Sequence, residues 1–354
     1  MGKRAILVGC GNMAATWVKA LREPVLAGRI EIAGLVDINL SAAERLRDDF
    51  DLTDAEVGTD LDAMLSHVKP DILFDVAVPS ARQDIVCMGL RHGCHVLSEK
   101  PMATSLDSAR QIQAAAARAG RIFAVAQNRR FKEGIRRARA AVESGVLGDI
   151  NAIHCDFFVG AHFGGFRDVM QHVLLLDMAI HTFDATRFVS GKEPVAVYCH
   201  ESNPASSWYA HGSVANAIFE FSDDVIVTYR GSWSAEGADT NWDSAWRIVG
   251  SKGTLLWDGE VSFIANLVDG DDGFFRPLRQ VDVPSAPDPR LTMGHASVIS
   301  EFLDAIDAGR EPETSGKDNI RSLAMVFAAI ESAALRQRVL VEPQATLAER
   351  QEIT

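Results

Sequence analysis

Short, mainly apolar stretches alternate with helix-compatible stretches over the first third of the chain. Runs such as residues 5–8 and 30–36 are typical of strands that are buried on both faces of a sheet. Strands that alternate with helices predict parallel pairing through crossover connections, and therefore a doubly wound α/β sheet. The helix after residue 40 is expected to begin at Ser41, with Glu44 completing a capping box. The predicted strands are residues 5–8, 30–36, 71–78, 95–98 and 121–126.

The pattern changes near residue 128, where strands with alternating apolar residues become dominant. Ser222-Asp223-Asp224 between two such strands indicates a hairpin, so we expect a large, mainly antiparallel open sheet in an α+β domain. The predicted domains are residues 1–127 and 128–354, with C-terminal helices that can pack back on the first domain. The later strands are predicted at residues 150–159, 195–200, 214–221, 225–232, 246–249 and 254–257, and the helices at 131–144, 173–189, 295–308 and 317–338.

Composition excludes several classes of function. The net charge of −13 argues against nucleic acid and against an anionic membrane surface as partners. The apolar runs are too short to span a bilayer or to form a secretory signal. The five scattered cysteines are typical of reduced thiols, which predicts a cytoplasmic protein, and their spacing predicts no metal site.

The first strand leads into a turn that is typical of dinucleotide-binding proteins. In Gly9-Cys10-Gly11-Asn12-Met13-Ala14 the glycines allow a tight turn and a close approach of the backbone to a pyrophosphate at the start of a helix. Asp37 ends the second strand, where a carboxylate accepts hydrogen bonds from ribose hydroxyls and repels a 2′-phosphate. The turn and Asp37 together therefore predict a Rossmann domain that binds NAD rather than NADP.

Further cofactor contacts are expected at the carboxyl ends of the parallel strands, because ligands of doubly wound sheets bind there. The residues expected to contact the cofactor are Gly9, Gly11, Asn12, Met13, Ala14, Asp37, Pro79, Ser80, Glu99, Lys100 and Gln127.

Two stretches carry candidate proton-transfer chemistry. Lys100, at a strand end, could donate a hydrogen bond to a substrate hydroxyl and favour its alkoxide, although a lysine is more often a solvated surface charge. Asp177 and His181 are four residues apart on one face of a predicted helix, where a carboxylate orients an imidazole that acts as a general base. A purely structural Asp–His hydrogen bond is an equal alternative, and no third ligand at a suitable spacing indicates a metal.

This ordered set of motifs resembles the Gfo/Idh/MocA family of oxidoreductases over essentially the whole chain. The matching stretches are Gly9–Ala14, Asp37, Glu99-Lys100-Pro101, Asp177–His181 and Gly250–Leu255. The resemblance implies NAD(P)-dependent oxidation or reduction of a sugar, polyol or inositol. It also implies a homodimer or homotetramer formed through the open sheet. By this analogy Lys100 bonds the reacting hydroxyl, His181 accepts the proton and Asp177 orients the substrate or base.

The substrate pocket is expected to combine polar and charged side chains from both domains. Arg129 and Arg167 suit a carboxylate or phosphate, although ion pairs with acidic residues of the chain are equally compatible. Trp233, Trp242 and Trp246 could stack on a sugar ring or lie in the core. The residues expected to bind substrate are Lys100, Asn128, Arg129, Arg167, His172, Asp177 and His181.

Three functions remain open from the sequence. The leading hypothesis is an NAD-dependent dehydrogenase that transfers a hydride between nicotinamide C4 and a secondary alcohol or ketone of a carbohydrate or cyclic polyol. A second is an enzyme that uses NAD transiently to cleave a glycoside by elimination. A third is a non-catalytic sensor of NAD, since a fold alone does not fix a function.

Overall fold

A computed structural model describes residues 2–341, which form two compact units. The first unit comprises the chain up to Phe131 together with Met293–Ile320. The second comprises Lys132–Thr292 and residues 321–341. The domain boundary between residues 127 and 128 stays a prediction, and residues are assigned below to the first or the second unit.

The first unit contains a six-stranded sheet in which every neighbouring pair of strands is parallel. Its strands are β1 (Lys3–Val8), β2 (Ile30–Val36), β3 (Glu56–Gly58), β4 (Ile72–Asp75), β5 (His95–Ser98) and β6 (Phe123–Val125). The accompanying helices are α1 (Asn12–Leu21), α2 (Leu40–Asp49), α3 (Leu61–Val68), α4 (Arg82–Arg91) and α5 (Leu106–Ala119). The strand order β3-β2-β1-β4-β5-β6 is that of a dinucleotide-binding sheet. The predicted doubly wound fold is confirmed.

The second unit contains a nine-stranded sheet that is antiparallel except where β7 pairs with β10. Its helices are α6 (Glu133–Glu143) and α7 (Ile180–Ser190). Its strands are β7 (Ile150–Phe158), β8 (Pro194–Ser202), β9 (Val214–Phe221), β10 (Ile226–Ser232), β11 (Ala245–Gly250), β12 (Gly253–Trp257), β13 (Phe263–Val268), β14 (Leu278–Val281) and β15 (Val339–Leu340). They lie in the order β14-β13-β12-β11-β7-β10-β9-β8-β15, which confirms the mainly antiparallel sheet.

One face of this sheet is buried, because strand alternation places every second residue in the core. A row across the strands has side chains no more than 2% exposed: Val197, Phe219, Val227, Ile153, Ile248, Leu255 and Ala265. The adjacent row points to the other face and is exposed or half-buried: Tyr198, Ile218, Thr228, His154, Arg247, Leu256 and Ile264.

Two further helices lie between β14 and β15 in the chain, and both agree with their predicted positions. They are α8 (His295–Ala308) and α9 (Gly316–Leu335). Helix α8 belongs to the first unit and packs against α1. None of the helices within residues 2–341 is long and apolar enough to cross a bilayer.

The structure corrects one local prediction. Helix α2 is capped by Asn39, whose side chain accepts a hydrogen bond from the backbone N–H of Ser41 at 3.2 Å. The capping box expected from Ser41 and Glu44 was therefore wrong, since the helix begins before Ser41. Asn and Ser have similar capping preferences, so the sequence alone does not decide between them.

Candidate cofactor and substrate sites

The turn after β1 has the backbone shape that a pyrophosphate site requires. Gly9 has a φ of +90°, and a Cβ at this position would lie 2.6 Å from the backbone nitrogen of Ala77. Gly11 is the N-cap of α1, and a Cβ there would meet no atom within 4 Å. Ala14 is fully buried, so a larger third residue would push the helix away from the sheet. The N-terminus of α1, where Asn12 and Met13 are exposed, is therefore open to an anion.

Asp37 lies directly beside this turn. Its Oδ2 accepts a hydrogen bond from the backbone N–H of Cys10 at 2.7 Å, and its Oδ1 accepts one from Asn39 at 2.8 Å. Burial and the Asp37 carboxylate raise the pKa of Cys10 to about 12, so this thiol stays neutral. The open turn and the oriented carboxylate fit the pyrophosphate and ribose of NAD.

An ion pair that was not predicted from the sequence joins the end of β4 to the first residue of α4. Arg82 is 1% exposed and Asp75 is fully buried, and their side chains are 2.9 Å apart. The same guanidinium donates to the carbonyls of Ala77 at 2.7 Å and Pro101 at 2.5 Å. It thereby holds the turn that leads to Pro79 and Ser80, which were predicted to contact the cofactor. Of these two residues, Ser80 is exposed.

Glu99 precedes Lys100 and is a buried carboxylate with donors on both oxygens. Its Oε1 accepts a hydrogen bond from the Trp17 indole at 2.8 Å and lies 3.3 Å from Nε2 of His295. Its Oε2 accepts one from the backbone N–H of Lys100 at 3.1 Å. Burial raises the pKa of Glu99, but the hydrogen bond and charge of His295, the Lys100 ammonium and Trp17 together lower it below its usual value.

Three further predicted residues follow β6 in the first unit. The side-chain amide of Gln127 is buried and finds no hydrogen-bond partner within residues 2–341. A buried amide of this kind has both a donor and an acceptor to offer a ligand. Asn128 and Arg129 lie in the 3₁₀ turn Asn128–Phe131, where the side chain of Asn128 is 3.5 Å from Nδ1 of His295.

In the second unit, Asp177 and His181 are both 6% exposed, but the helix that carries them is not regular. The chain winds as a π-helix over Leu174–Ala179 before α7 begins. The regular α-helix predicted over residues 173–189 was therefore wrong in its first half. Such π-helical turns are rare and are frequent at functional sites.

The structure gives Asp177 a charged partner from the loop that precedes it. Nε of Arg167 lies 2.6 Å from Oδ2 of Asp177, and its guanidinium lies over the rings of Phe163 and Phe166, at 5.2 and 4.7 Å from their centroids. Of the two interpretations left open for Arg167, an anion site or an ion pair within the chain, the structure shows the ion pair.

His172, five residues before Asp177, is also paired. Its Nδ1 lies 2.6 Å from Oε2 of Glu201, on β8, and its backbone has a left-handed φ of +51°. The hydrogen bond to Glu201 and the charge of this carboxylate raise the pKa of His172, although partial burial opposes them. Oε1 of Glu201 is buried and finds no donor in the part of the chain that the structure describes.

The three tryptophans proposed to stack on a sugar differ in exposure. Trp233 and Trp246 are 1% and 3% exposed and belong to the core. Trp242 is 45% exposed and forms an edge contact with Phe163, their centroids 6.0 Å apart. The sequence analysis missed Trp208, whose ring stacks on His162 at 3.6 Å.

Across residues 2–341, no group of three or more His, Cys, Asp or Glu side chains is arranged to hold a metal ion.

The predicted substrate residues are divided between the units: Lys100, Asn128 and Arg129 are in the first, and Arg167, His172, Asp177 and His181 are in the second.

Comparison with known proteins agrees with the strand order and the turn geometry. Residues 3–127 match the NAD-binding Rossmann domain of the Gfo/Idh/MocA oxidoreductase family, and residues 135–256 match a C-terminal domain of the same family. The chain belongs to the Gfo/Idh/MocA family. It is therefore an NAD-binding oxidoreductase, and the resemblance found in the sequence is confirmed.

Relatives and solved structures cover almost the whole chain. It is 24% identical to inositol 2-dehydrogenase of Rhizobium meliloti strain 1021, across 95% of this chain and 98% of that protein. It is 22% identical to 1,5-anhydro-D-fructose reductase of Ensifer adhaerens, across 95% and 98%. Levoglucosan dehydrogenase in complex with NADH and levoglucosan superposes with a TM-score of 0.82 at 19% identity, across 96% of this chain and 100% of that one.

Proposed function

We propose that this oxidoreductase is an NAD-dependent dehydrogenase of a neutral sugar or cyclic polyol. Two cations of the predicted substrate site are already neutralised, Arg167 by Asp177 and His172 by Glu201. A sugar acid would have to compete with these carboxylates. A neutral polyol needs only hydrogen-bond donors and acceptors, which paired charges provide.

The observation that carries this proposal is a pair of buried carboxylate oxygens in the second unit that lack donors. Oδ1 of Asp168 and Oε1 of Glu201 are buried, and neither has a hydrogen-bond partner within residues 2–341. A buried acceptor without a donor is costly, and a ligand hydroxyl is a suitable donor. The names of the relatives, which include dehydrogenases of inositol and D-apiose, support the same substrate class.

The proposed chemistry separates a hydride from a proton. NAD, when bound, accepts the hydride at nicotinamide C4. Lys100 donates a hydrogen bond to the reacting oxygen and favours its alkoxide, and His181 accepts the hydroxyl proton as general base. Asp177 orients the substrate or the imidazole, and its charge is balanced by Arg167.

The test is the formation of reduced nicotinamide by the purified protein with NAD or NADP and a panel of neutral sugars, inositols, glycosides and sugar acids. We expect turnover with NAD and a neutral substrate. His181→Ala should lower kcat by about 10²–10⁴-fold while NAD binding is kept. The control is His67→Ala, an exposed histidine in α3.

Other outcomes would replace the proposal. Preference for a sugar acid would show that the ion pairs do not define the substrate class. Cleavage of a glycoside without accumulation of reduced cofactor would identify the transient-NAD enzyme. Binding of NAD without turnover of any substrate would favour the sensor.

We further propose that copies of the chain associate through the open face of the nine-stranded sheet. Tyr198 and Ile218 are neighbours on β8 and β9 and are 48% and 51% exposed, and Ile264 on β13 is 41% exposed. Apolar side chains exposed on one sheet face favour an interface. Light scattering should give a dimer or tetramer, and Tyr198→Lys with Ile218→Lys should yield the monomer.

A further inference from the structure

Glu99 is held by donors from three separate segments of the first unit. The indole N–H of Trp17 comes from α1, and the imidazole comes from His295, the first residue of α8. The third donor is the backbone N–H of Lys100. The His295 ring also lies against Trp17, with ring centroids 6.1 Å apart. A carboxylate that is 6% exposed thus connects the cofactor-binding helix to the strand end that carries Lys100.

The hydrogen-bond network defines the orientation of the His295 ring. Glu99 is ionised and only accepts, so Nε2 of His295 carries the proton that it donates to Oε1. The other ring nitrogen, Nδ1, lies 3.5 Å from the side-chain amide of Asn128, which has both a donor and an acceptor to offer it. One imidazole therefore contacts both Glu99, adjacent to Lys100, and Asn128, which we expect to bind substrate.

We propose that His295 is a positioning residue, which orients Lys100 through the Glu99 carboxylate and orients Asn128 through its other ring nitrogen. Its role in turnover rests on the function proposed for Lys100. The physical reason is that Glu99 is bonded on two sides, by His295 at Oε1 and by the backbone N–H of Lys100 at Oε2. Loss of the imidazole would leave the buried carboxylate short of a donor, and the segment that carries Lys100 would move to compensate.

The test compares His295→Leu, which removes the donor, with His295→Gln, whose amide can still donate to Glu99. The matched control is His92→Leu, because Nε2 of His92 lies 2.7 Å from Oδ1 of Asp62 in an exposed pair at the other end of β5. We expect His295→Leu to lower kcat by about ten- to a hundredfold, as small misplacements do, with the KM for NAD nearly unchanged. His295→Gln should recover most of the rate, and His92→Leu should not change it.

A second measurement follows Lys100 without any catalysis. Lysines are dimethylated with ¹³C, and the Lys100 signal is assigned from its loss in Lys100→Arg. We expect this signal to shift in His295→Leu, to return toward its position in His295→Gln, and to stay in place in His92→Leu. An unchanged signal in a folded His295→Leu variant would overturn the positioning role. If the unmodified enzyme oxidised no sugar, the proposed function would fail while this measurement still decided the role of His295.

Discussion

The buried pair between Asp75 and Arg82 predicts a large and specific loss of stability. In Arg82→Met the Asp75 carboxylate keeps only the Ser98 hydroxyl, at 2.6 Å, and the backbone N–H of Ala77, at 3.0 Å. The carbonyls of Ala77 and Pro101 also lose their donor. An uncompensated buried charge costs about 3–5 kcal/mol, which is a large part of a typical total stability of about 5–15 kcal/mol.

The loss should depend on pH in a defined direction. Burial, opposed by Arg82, already raises the pKa of Asp75, and removal of Arg82 leaves burial less opposed. The pKa of Asp75 is then higher in the folded state than in the unfolded state. The fold therefore keeps its stability below the unfolded-state pKa and loses it as pH rises through the folded-state pKa. The free energy of unfolding of Arg82→Met should therefore be closest to that of the unmodified protein at acidic pH and furthest from it at neutral pH.

Urea unfolding followed by circular dichroism, at acidic and neutral pH, measures this effect. Asp75→Asn with Arg82→Met removes both charges and should recover most of the free energy of unfolding. Arg110→Met is the control, because its exposed pair with Asp107 should contribute at most about 1 kcal/mol. A change below about 1 kcal/mol in Arg82→Met at neutral pH would refute the account of the buried pair.

Three smaller predictions concern the two sites. Asp37→Asn keeps an oxygen acceptor but loses the charge, so the preference for NAD over NADP in kcat/KM should fall by about ten- to a hundredfold. The pKa of His172 is raised, so its pair with Glu201 stabilises the fold at low pH and loses this effect as pH rises through the folded pKa. The thermal midpoint of His172→Gln should thus fall more at pH 6 than at pH 8. Arg167→Leu should raise the KM for the sugar more than that for NAD, because Asp177 loses its partner.

The sequence predicted those parts of the fold whose signal is local. Residues 30–36 were predicted as a strand and form β2 with the same bounds, because a short run that is apolar except for Glu31 has the length typical of a buried strand. The edge strand β14 was missed because its four residues are largely exposed and have no apolar face. The short β3 was missed because three residues are too few to establish a period. Helix α8 was predicted with the same bounds that the structure gives it, His295–Ala308.

Site residues, too, were predicted where their sequence signal is local. The turn at Gly9 and the carboxylate of Asp37 were recognisable because strand ends converge at one edge of a parallel sheet. His295 was not, because it is 196 residues from Glu99 and nothing near it indicates a buried carboxylate. The pairing of Arg167 with Asp177 was only one of two open possibilities, since spacing cannot decide which acid a surface arginine meets.

The pairing of charges links the acidity of the chain to its proposed substrate. A protein with a net charge of −13 repels anions at long range, and the site cations Arg82, Arg167 and His172 each face a carboxylate. Such an ion pair can bind an uncharged hydroxyl without separating. Its carboxylate still has lone pairs that accept hydrogen bonds, and its cation still has N–H groups that donate them. Binding of a sugar acid would require a pair to open, which leaves a carboxylate partly buried and unpaired. The proposed preference for neutral polyols therefore rests on the ion pairs that Arg167 and His172 form within the chain.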